Sequence, residues 1–182
     1  MNILEGNITR LRPVEPKDAE LIYFWENDSS VWQMSNTIVP FSKFVIEQFI
    51  ETAQQDIFQS KQLRLMIDKT DVNSIDTIGT IDIFEFDPLH MRAGIGILIA
   101  KETDREKGFA SDALNTLIHY CFNTLLLHQV YCNICSDNTS SINLFTRKGF
   151  ELIGIKKDWV RTNDGWKDEL MLQLINQKWG EI

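Results

Sequence analysis

GIGILIAKETDREKGFASDALNTLIHYC, residues 94–121, is the stretch whose reading decides the fold. It predicts a strand, a charged loop and a helix in succession. Ile95, Ile97 and Ile99 alternate with Gly94, Gly96 and Leu98, so one face of the strand is bulky and the other nearly bare. The bare face either accommodates a neighbour in the sheet or leaves room for a ligand. Charges gather between Lys101 and Lys107, and from Gly108 the apolar positions Ala110, Ala113, Leu114, Leu117, Cys121 and Leu125 recur at helical spacing. A helix start offers unpaired N–H groups at the positive end of the helix dipole, which suits phosphate. Gly108 lets a ligand approach the backbone closely, and the small Ala110 keeps that approach open. Arg105 brings a fork of donors for phosphate oxygens, and Lys107 adds charge. The plain alternative is an ordinary strand–helix turn with a solvated charge run. No Gly-Lys-Ser/Thr follows a strand, and Gly94-x-Gly96 lacks the third glycine of a dinucleotide fingerprint.

Downstream lies CSDNTSSINLFTRKGF, residues 135–150. Together the two stretches resemble the GNAT N-acetyltransferases. That family's pattern is a strand, then Arg/Gln-x-x-Gly-x-Gly/Ala at a helix start, then Asn-x-x-Ala/Ser after a further strand, then a Gly-Phe leading into the last hairpin. Arg105, Gly108, Ala110, Asn138, Ser141, Gly149 and Phe150 occupy those positions here. The resemblance extends over nearly the whole chain and leans towards the branch of spermidine/diamine and ribosomal-protein N-terminal acetyltransferases. It implies a GNAT-like acyl-CoA N-acyltransferase fold, mixed α/β with a largely antiparallel sheet flanked by helices, as a single domain over 1–182. It implies acetyl-CoA as the cofactor, with coenzyme A as product. In the family the strand before the phosphate loop splays from the next one and pairs its backbone with pantetheine, which here implies Ile97, Leu98 and Ile99. The pyrophosphate would lie on Arg105, Glu106, Lys107, Gly108, Phe109 and Ala110. Asn138, Ser141 and Phe145 complete the implied cofactor set, with Arg147 and Lys148 within reach of the nucleotide phosphates. Asn138 reads equally as a helix cap, and Arg147 and Lys148 as a solvated helix end.

Two positions depart from the family pattern. Phe145 stands where many relatives carry a tyrosine proposed to protonate the leaving thiolate, and Gly94 lies where many have a basic glutamate. The remaining candidates for the base, or for gripping a cation, are Asp82 and Glu85 on the strand 77–86; a regular strand points them to opposite faces, so one serves. Glu26 and His90 follow them. In the polar, aromatic-studded loop after residue 26, Trp25, Trp32 and Met34 could wall an acceptor pocket, with Glu26 and Asp28 holding a cation; Glu26 and Trp32 are the substrate-binding candidates. Core aromatics and solvated acids are the alternative reading.

The rest of the chain is consistent with one core. It has 182 residues, 43% of them hydrophobic. Strands are expected at 7–14, 62–69, 77–86, 91–100 and 129–136, with a final hairpin of 150–161 and 166–175 about Asp164-Gly165. Helices are expected at 16–26, 42–55, 108–126 and 138–147. The net charge of −8 argues against a nucleic-acid partner and is compatible with a cationic amine. Cys132 and Cys135, three apart on a strand, point to opposite faces, so no metal site is expected. No apolar run suggests a leader or a membrane span, and a cytoplasmic protein follows as the expectation. The expected reaction is acetyl transfer to a primary amine, either a small polyamine-like cation or a protein N-terminus. The alternative is a non-catalytic acyl-CoA-binding module, which Phe145 and Gly94 favour. A homodimer through the last hairpin or an edge strand is a further expectation.

Overall fold

The computed structural model describes residues 3–29, 32, 39–53, 55–70, 76–162 and 164–178. Alternating side chains set its strands: β1 (Thr9–Pro13), β2 (Leu63–Lys69), β3 (Thr77–Asp87), β4 (Arg92–Ile99), β5 (Gln129–Cys135), β6 (Glu151–Thr162) and β7 (Gly165–Ile175). Five helices accompany them among the described residues: α1 (Ala19–Glu26), α2 (Lys43–Thr52), α3 (Ile57–Ser60), α4 (Phe109–Asn123) and α5 (Thr139–Arg147). The elements match the sequence reading to within a few residues, with one addition. The single turn α3 forms because Asp56 accepts the Phe58 N–H at 2.8 Å and Lys61 closes it with φ 57°.

All strands share one sheet in the order β1-β2-β3-β4-β5-β7-β6. Neighbours are antiparallel except β4 and β5, which run parallel and are joined through α4. On one face, Leu65, Ile67, Ile81, Ile83, Ile95 and Ile99 pack with Ala113, Leu114 and Leu117 of α4. On the opposite face, Met66 packs with Ile22 and Trp25 of α1 and Ile46 and Ile50 of α2. Trp25 is therefore a core residue and not a pocket wall. Cys132 is buried and Cys135 half-buried, and both are free thiols. No described helix is long and apolar enough to cross a membrane.

Two carboxylate networks fix the frame, one on the buried Asp18 and Asp68 and one on the half-buried Asp112. Arg12 of β1 reaches Asp68 of β2 at 2.8 Å and Asp18 at 2.7 Å, fastening the turn before α1 to the sheet. In the first turn of α4, Asp112 accepts the N–H groups of Asn7, Ile8 and Thr9 at 2.9–3.0 Å and the Thr9 hydroxyl at 2.8 Å. Burial pushes the Asp112 pKa up, but these donors together outweigh it and hold the group below its ordinary value of 3.8. A carboxylate of depressed pKa stabilises the fold fully above 3.8, and that contribution is lost as the pH falls through the lower folded value. Asp112→Asn is expected to lower unfolding free energy by about 1–3 kcal/mol at neutral pH, because charged hydrogen bonds become neutral and one acceptor turns into a donor. Urea titrations at pH 7 and below pH 3.8 should show the gap between variant and parent narrowing in acid.

Candidate active site at a strand fork

The parallel pairing of β4 with β5 lasts three rungs, Arg92–Gln129, Ala93–Val130 and Gly94–Tyr131. Beyond them β4 stays beside β3 as far as Ile99, and β5 stays beside β7 as far as Cys135, so the sheet opens into a fork. The Ala100 N–H donates to the Ile78 carbonyl at 2.9 Å. Alternation along an antiparallel ladder then turns the backbone groups of Ile95, Ile97 and Ile99 away from β3 and into the fork. Arg105 covers the far end, its Nε donating to the Ile99 carbonyl at 3.2 Å and its Nη2 to that of Ala100 at 3.3 Å. The guanidinium expected on phosphate thus spends part of its donor set holding the loop to β4.

After β4 the chain makes a short 3-10 turn, Glu102–Asp104, whose buried Asp104 is held by Lys69 at 2.8 Å. Glu106 (φ 59°) and Gly108 (φ 88°) are both left-handed and bend the backbone sharply into α4. Gly108 is the N-cap, and no side chain satisfies the first N–H groups of that helix. Lys107 is exposed, Ala110 half-buried, and the Phe109 ring lies 5.4 Å from the Lys69 ammonium. The sequence-predicted loop residues therefore gather at one helix start at the mouth of the fork.

Across the fork, Asn138 caps α5: its Oδ1 accepts the Ser141 N–H at 3.1 Å, which leaves the Nδ2 donor of the same amide for a ligand. The helix-cap reading of Asn138 is the one the geometry bears out. Phe145 is different. It is 3% exposed and packs edge-on against Phe150 with ring centroids 5.0 Å apart, so its ring belongs to the core. Arg147 is exposed in the last turn of α5.

The bare face of β4 divides into two roles. A Cβ on Gly94 would sit 2.2 Å from Phe84 Cε2, so Gly94 makes room for that ring. At Gly96 the nearest atom is Phe84 Cε1 at 3.8 Å, so there the face is open. The ring of Phe84 meets Tyr131 edge-on, centroids 6.1 Å apart. Asp82 is opposite Gly96. The expectation that Glu85 points to the other face fails because β3 is not regular. A bulge lies between Phe84 and Asp87, and Glu85 takes φ 49°. Its carboxylate consequently reaches the face of Gly94, where it accepts a hydrogen bond from the Tyr131 hydroxyl. Burial first, and then Glu85, raises the Tyr131 pKa and keeps the phenol neutral.

Asp82 and Glu26 do meet, but through a residue the sequence reading did not single out. Arg64 of β2 donates through Nε to Asp82 and through Nη1 to Glu26, both at 2.7 Å, and its guanidinium lies 5.0 Å from the Phe49 ring centre. Burial opposes the charge on Arg64, and Asp82 followed by Glu26 outweighs that and raises its pKa. A pocket of about 160 Å³ opens beside them, lined by Phe49, Arg64, Asp82 and Phe84 among others. Trp32 donates its indole N–H to the Glu26 carbonyl at 2.7 Å, so it braces the end of α1. His90 lies in the β3–β4 turn, with its backbone N–H on Asp87 at 3.0 Å. Met34 lies outside the described residues. Arg64 carried no signal beyond being a charge in an apolar strand, and Tyr131 none beyond its place in the alternation of β5.

Comparison with known proteins bears on this geometry directly. The acetyltransferase (GNAT) domain family matches residues 9–151. The spermidine N(1)-acetyltransferase of Vibrio cholerae is 25% identical over 170 residues, covering 93% of this chain and 94% of that enzyme. The [ribosomal protein uS5]-alanine N-acetyltransferase of Escherichia coli is 32% identical over 73 residues, 40% of this chain and 38% of its own. Among solved structures, the spermidine N-acetyltransferase of Vibrio cholerae in complex with CoA and spermine superposes with a TM-score of 0.85 at 21% identity, covering 95% of this chain and 98% of that one. A dodecameric structure of that enzyme is also similar.

The two glycines separate packing from access. Gly94→Ala is expected to lower unfolding free energy by about 1–3 kcal/mol, the usual range for overpacking, and Gly96→Ala by less than about 0.5 kcal/mol. Phe84→Leu should suppress the Gly94→Ala defect in urea titrations.

Proposed function

The chain belongs to the GNAT acetyltransferase family and is an acetyl-CoA-dependent N-acetyltransferase; from that premise we propose that its acceptor is a small polycationic amine of the polyamine kind. The observation that carries this reading is the charge around the open rung at Gly96. Asp82, Glu26 and Glu85 share that face with the Arg64 guanidinium, and the Asp87–Arg92 ion pair at its far end cancels its own charge, which leaves the face net negative. Phe49 and Phe84 supply apolar walls for the methylene spacers of such an amine. The chain's overall charge of −8 acts in the same direction at longer range. Sequence likeness to a spermidine acetyltransferase over 93% of the chain also supports it, whereas sequence likeness to the uS5-alanine enzyme covers 40%.

The fork suits acetyl-CoA. The backbone groups of Ile97 and the N–H of Ile99, turned into the fork, suit the amides of pantetheine, and the N–H groups from Gly108 onward suit its pyrophosphate. Asn138 and Ser141 flank the opposite side. The thioester supplies an activated acetyl group; the protein holds it beside the acceptor, which is a large share of the catalysis. The non-catalytic alternative loses its support: Gly94 is explained by the Phe84 ring, and the family acts by turnover.

All seven strands in one sheet support a single catalytic domain over 1–182. Self-association is proposed through β6, an edge strand that exposes Leu152, Ile153, Ile155 and Trp159. A cytoplasmic setting is proposed from the three free thiols.

The test is thiol release from acetyl-CoA with spermidine, spermine, short diamines, aminoglycosides and N-terminal peptides, alongside calorimetric binding of coenzyme A. Turnover should be highest with polyamines. Their kcat/KM should fall as salt rises from 10 mM to 150 mM, because screening shortens from about 30 Å to about 8 Å. Preferred turnover of a peptide, or a salt-insensitive kcat/KM, would overturn the acceptor assignment.

A further inference from the structure

Phe145, where the family resemblance implies a tyrosine, cannot donate a proton and is buried in the core. Another hydroxyl stands at the fork. Tyr131 is on the last rung of the β4–β5 pairing, opposite a residue with no side chain. Its ring is held edge-on by Phe84. Its hydroxyl donates to Glu85 Oε2, and Glu85 is brought there by a left-handed bulge. A non-glycine residue at positive φ is unfavourable, and such conformations gather where a side chain must be aimed. Asp82 has its oxygens on Arg64, at 2.7 and 3.3 Å, whereas Glu85 has a tyrosine as its hydrogen-bond partner. These facts separate the two carboxylates: Asp82 is a charge anchored by a guanidinium, and Glu85 belongs to a proton-carrying pair.

Resting on the acetyltransferase reading, we propose that Glu85 and Tyr131 form a proton relay that replaces the missing donor, with Glu85 as base and Tyr131 as acid. The acceptor enters as the neutral amine, its first proton lost to solvent. As its nitrogen bonds to the acetyl carbon, Glu85 Oε1 takes the second proton. Tyr131 gives its phenolic proton to the sulfur as the carbon–sulfur bond breaks. The proton on Glu85 then passes to the Tyr131 oxygen. One N–H proton has moved to the thiol, the amide and the free thiol are formed, and both side chains are restored. Protonating Glu85 removes the negative charge beside the phenol, so the tyrosine becomes a better acid at the moment its proton is needed.

Tyr131→Phe and Glu85→Gln test the relay on the amine that the parent enzyme acetylates. Each is expected to lower kcat about 10²-fold or more at pH 7, with coenzyme A affinity unchanged. The double variant should be no slower than the slower single one, because the two residues form one path. The Tyr131→Phe deficit should shrink as the pH rises past the thiol's own pKa, about 8.5 for an ordinary thiol, since a thiolate then leaves unaided. A readout independent of turnover is the tyrosine ring resonance. The chain has three tyrosines, and in the ligand-free protein Glu85→Gln should lower the pH at which Tyr131 ionises, while Asp87, which raises it, and Arg92, which lowers it, stay in place. Within-twofold activity of Tyr131→Phe, additive losses, or an unmoved tyrosine titration would overturn the relay and leave the transferase standing. Coenzyme A binding with no turnover of any amine by the parent would overturn the transferase reading, and the relay with it.

Discussion

The β4–β5 pairing ends at Gly94–Tyr131, and the rest of the site depends on that ending. Backbone N–H and C=O groups in a sheet interior need partners, so a fork left open there is a site waiting for a hydrogen-bonding ligand. Each flanking element keeps it open. β3 and β7 draw the two strands apart by continuing their own ladders. Arg105 ties the outgoing loop to the end of β4, and Lys69 ties the following turn to β2 through Asp104. Asp112 then locks the start of α4 to β1. The helix start that suits phosphate is thus placed by hydrogen bonds on both sides of the loop.

The face above the fork is organised by a second constraint, the contact of Phe84 with Gly94. The ring fills the space of the absent side chain and abuts Tyr131, so it separates the bulge at Glu85 from the open rung at Gly96. Negative charge lies on either side of it. One part is neutralised in part by Arg64, and the other is bonded to a phenol. In the proposed reading, binding of a cation and handling of a proton fall to different carboxylates, although both come from one strand.

The order of elements was legible because strands such as β5 bury every second residue and each long helix has an apolar stripe or a cap, as with Ser42 and Asn138. The sharp turn into α4 was legible because Gly108 at a helix start carries its conformational freedom in its identity. What could not be read depends on partners distant in sequence. The bulge at Glu85 arises where Glu85 and Phe86 of β3 oppose Ala93 alone on β4, and no residue type announces it. Arg64 belongs to the site through Glu26, 38 residues away, and Asp82, 18 residues away. Phe145 looked like a ligand contact by position, but its neighbour Phe150 takes it into the core. Gly94 could be read as empty space until Phe84 was seen to fill it.

Amide hydrogen exchange across β4, with and without coenzyme A, tests the central claim most directly. If the cofactor pairs with the fork, the amides of Ile97 and Ile99 should exchange more slowly in its presence, while those of Gly96 and Leu98, turned towards β3, should change little. Saturating coenzyme A with no change at Ile97 and Ile99 would contradict the account, because the cofactor would then be bound away from the opening on which the site is built.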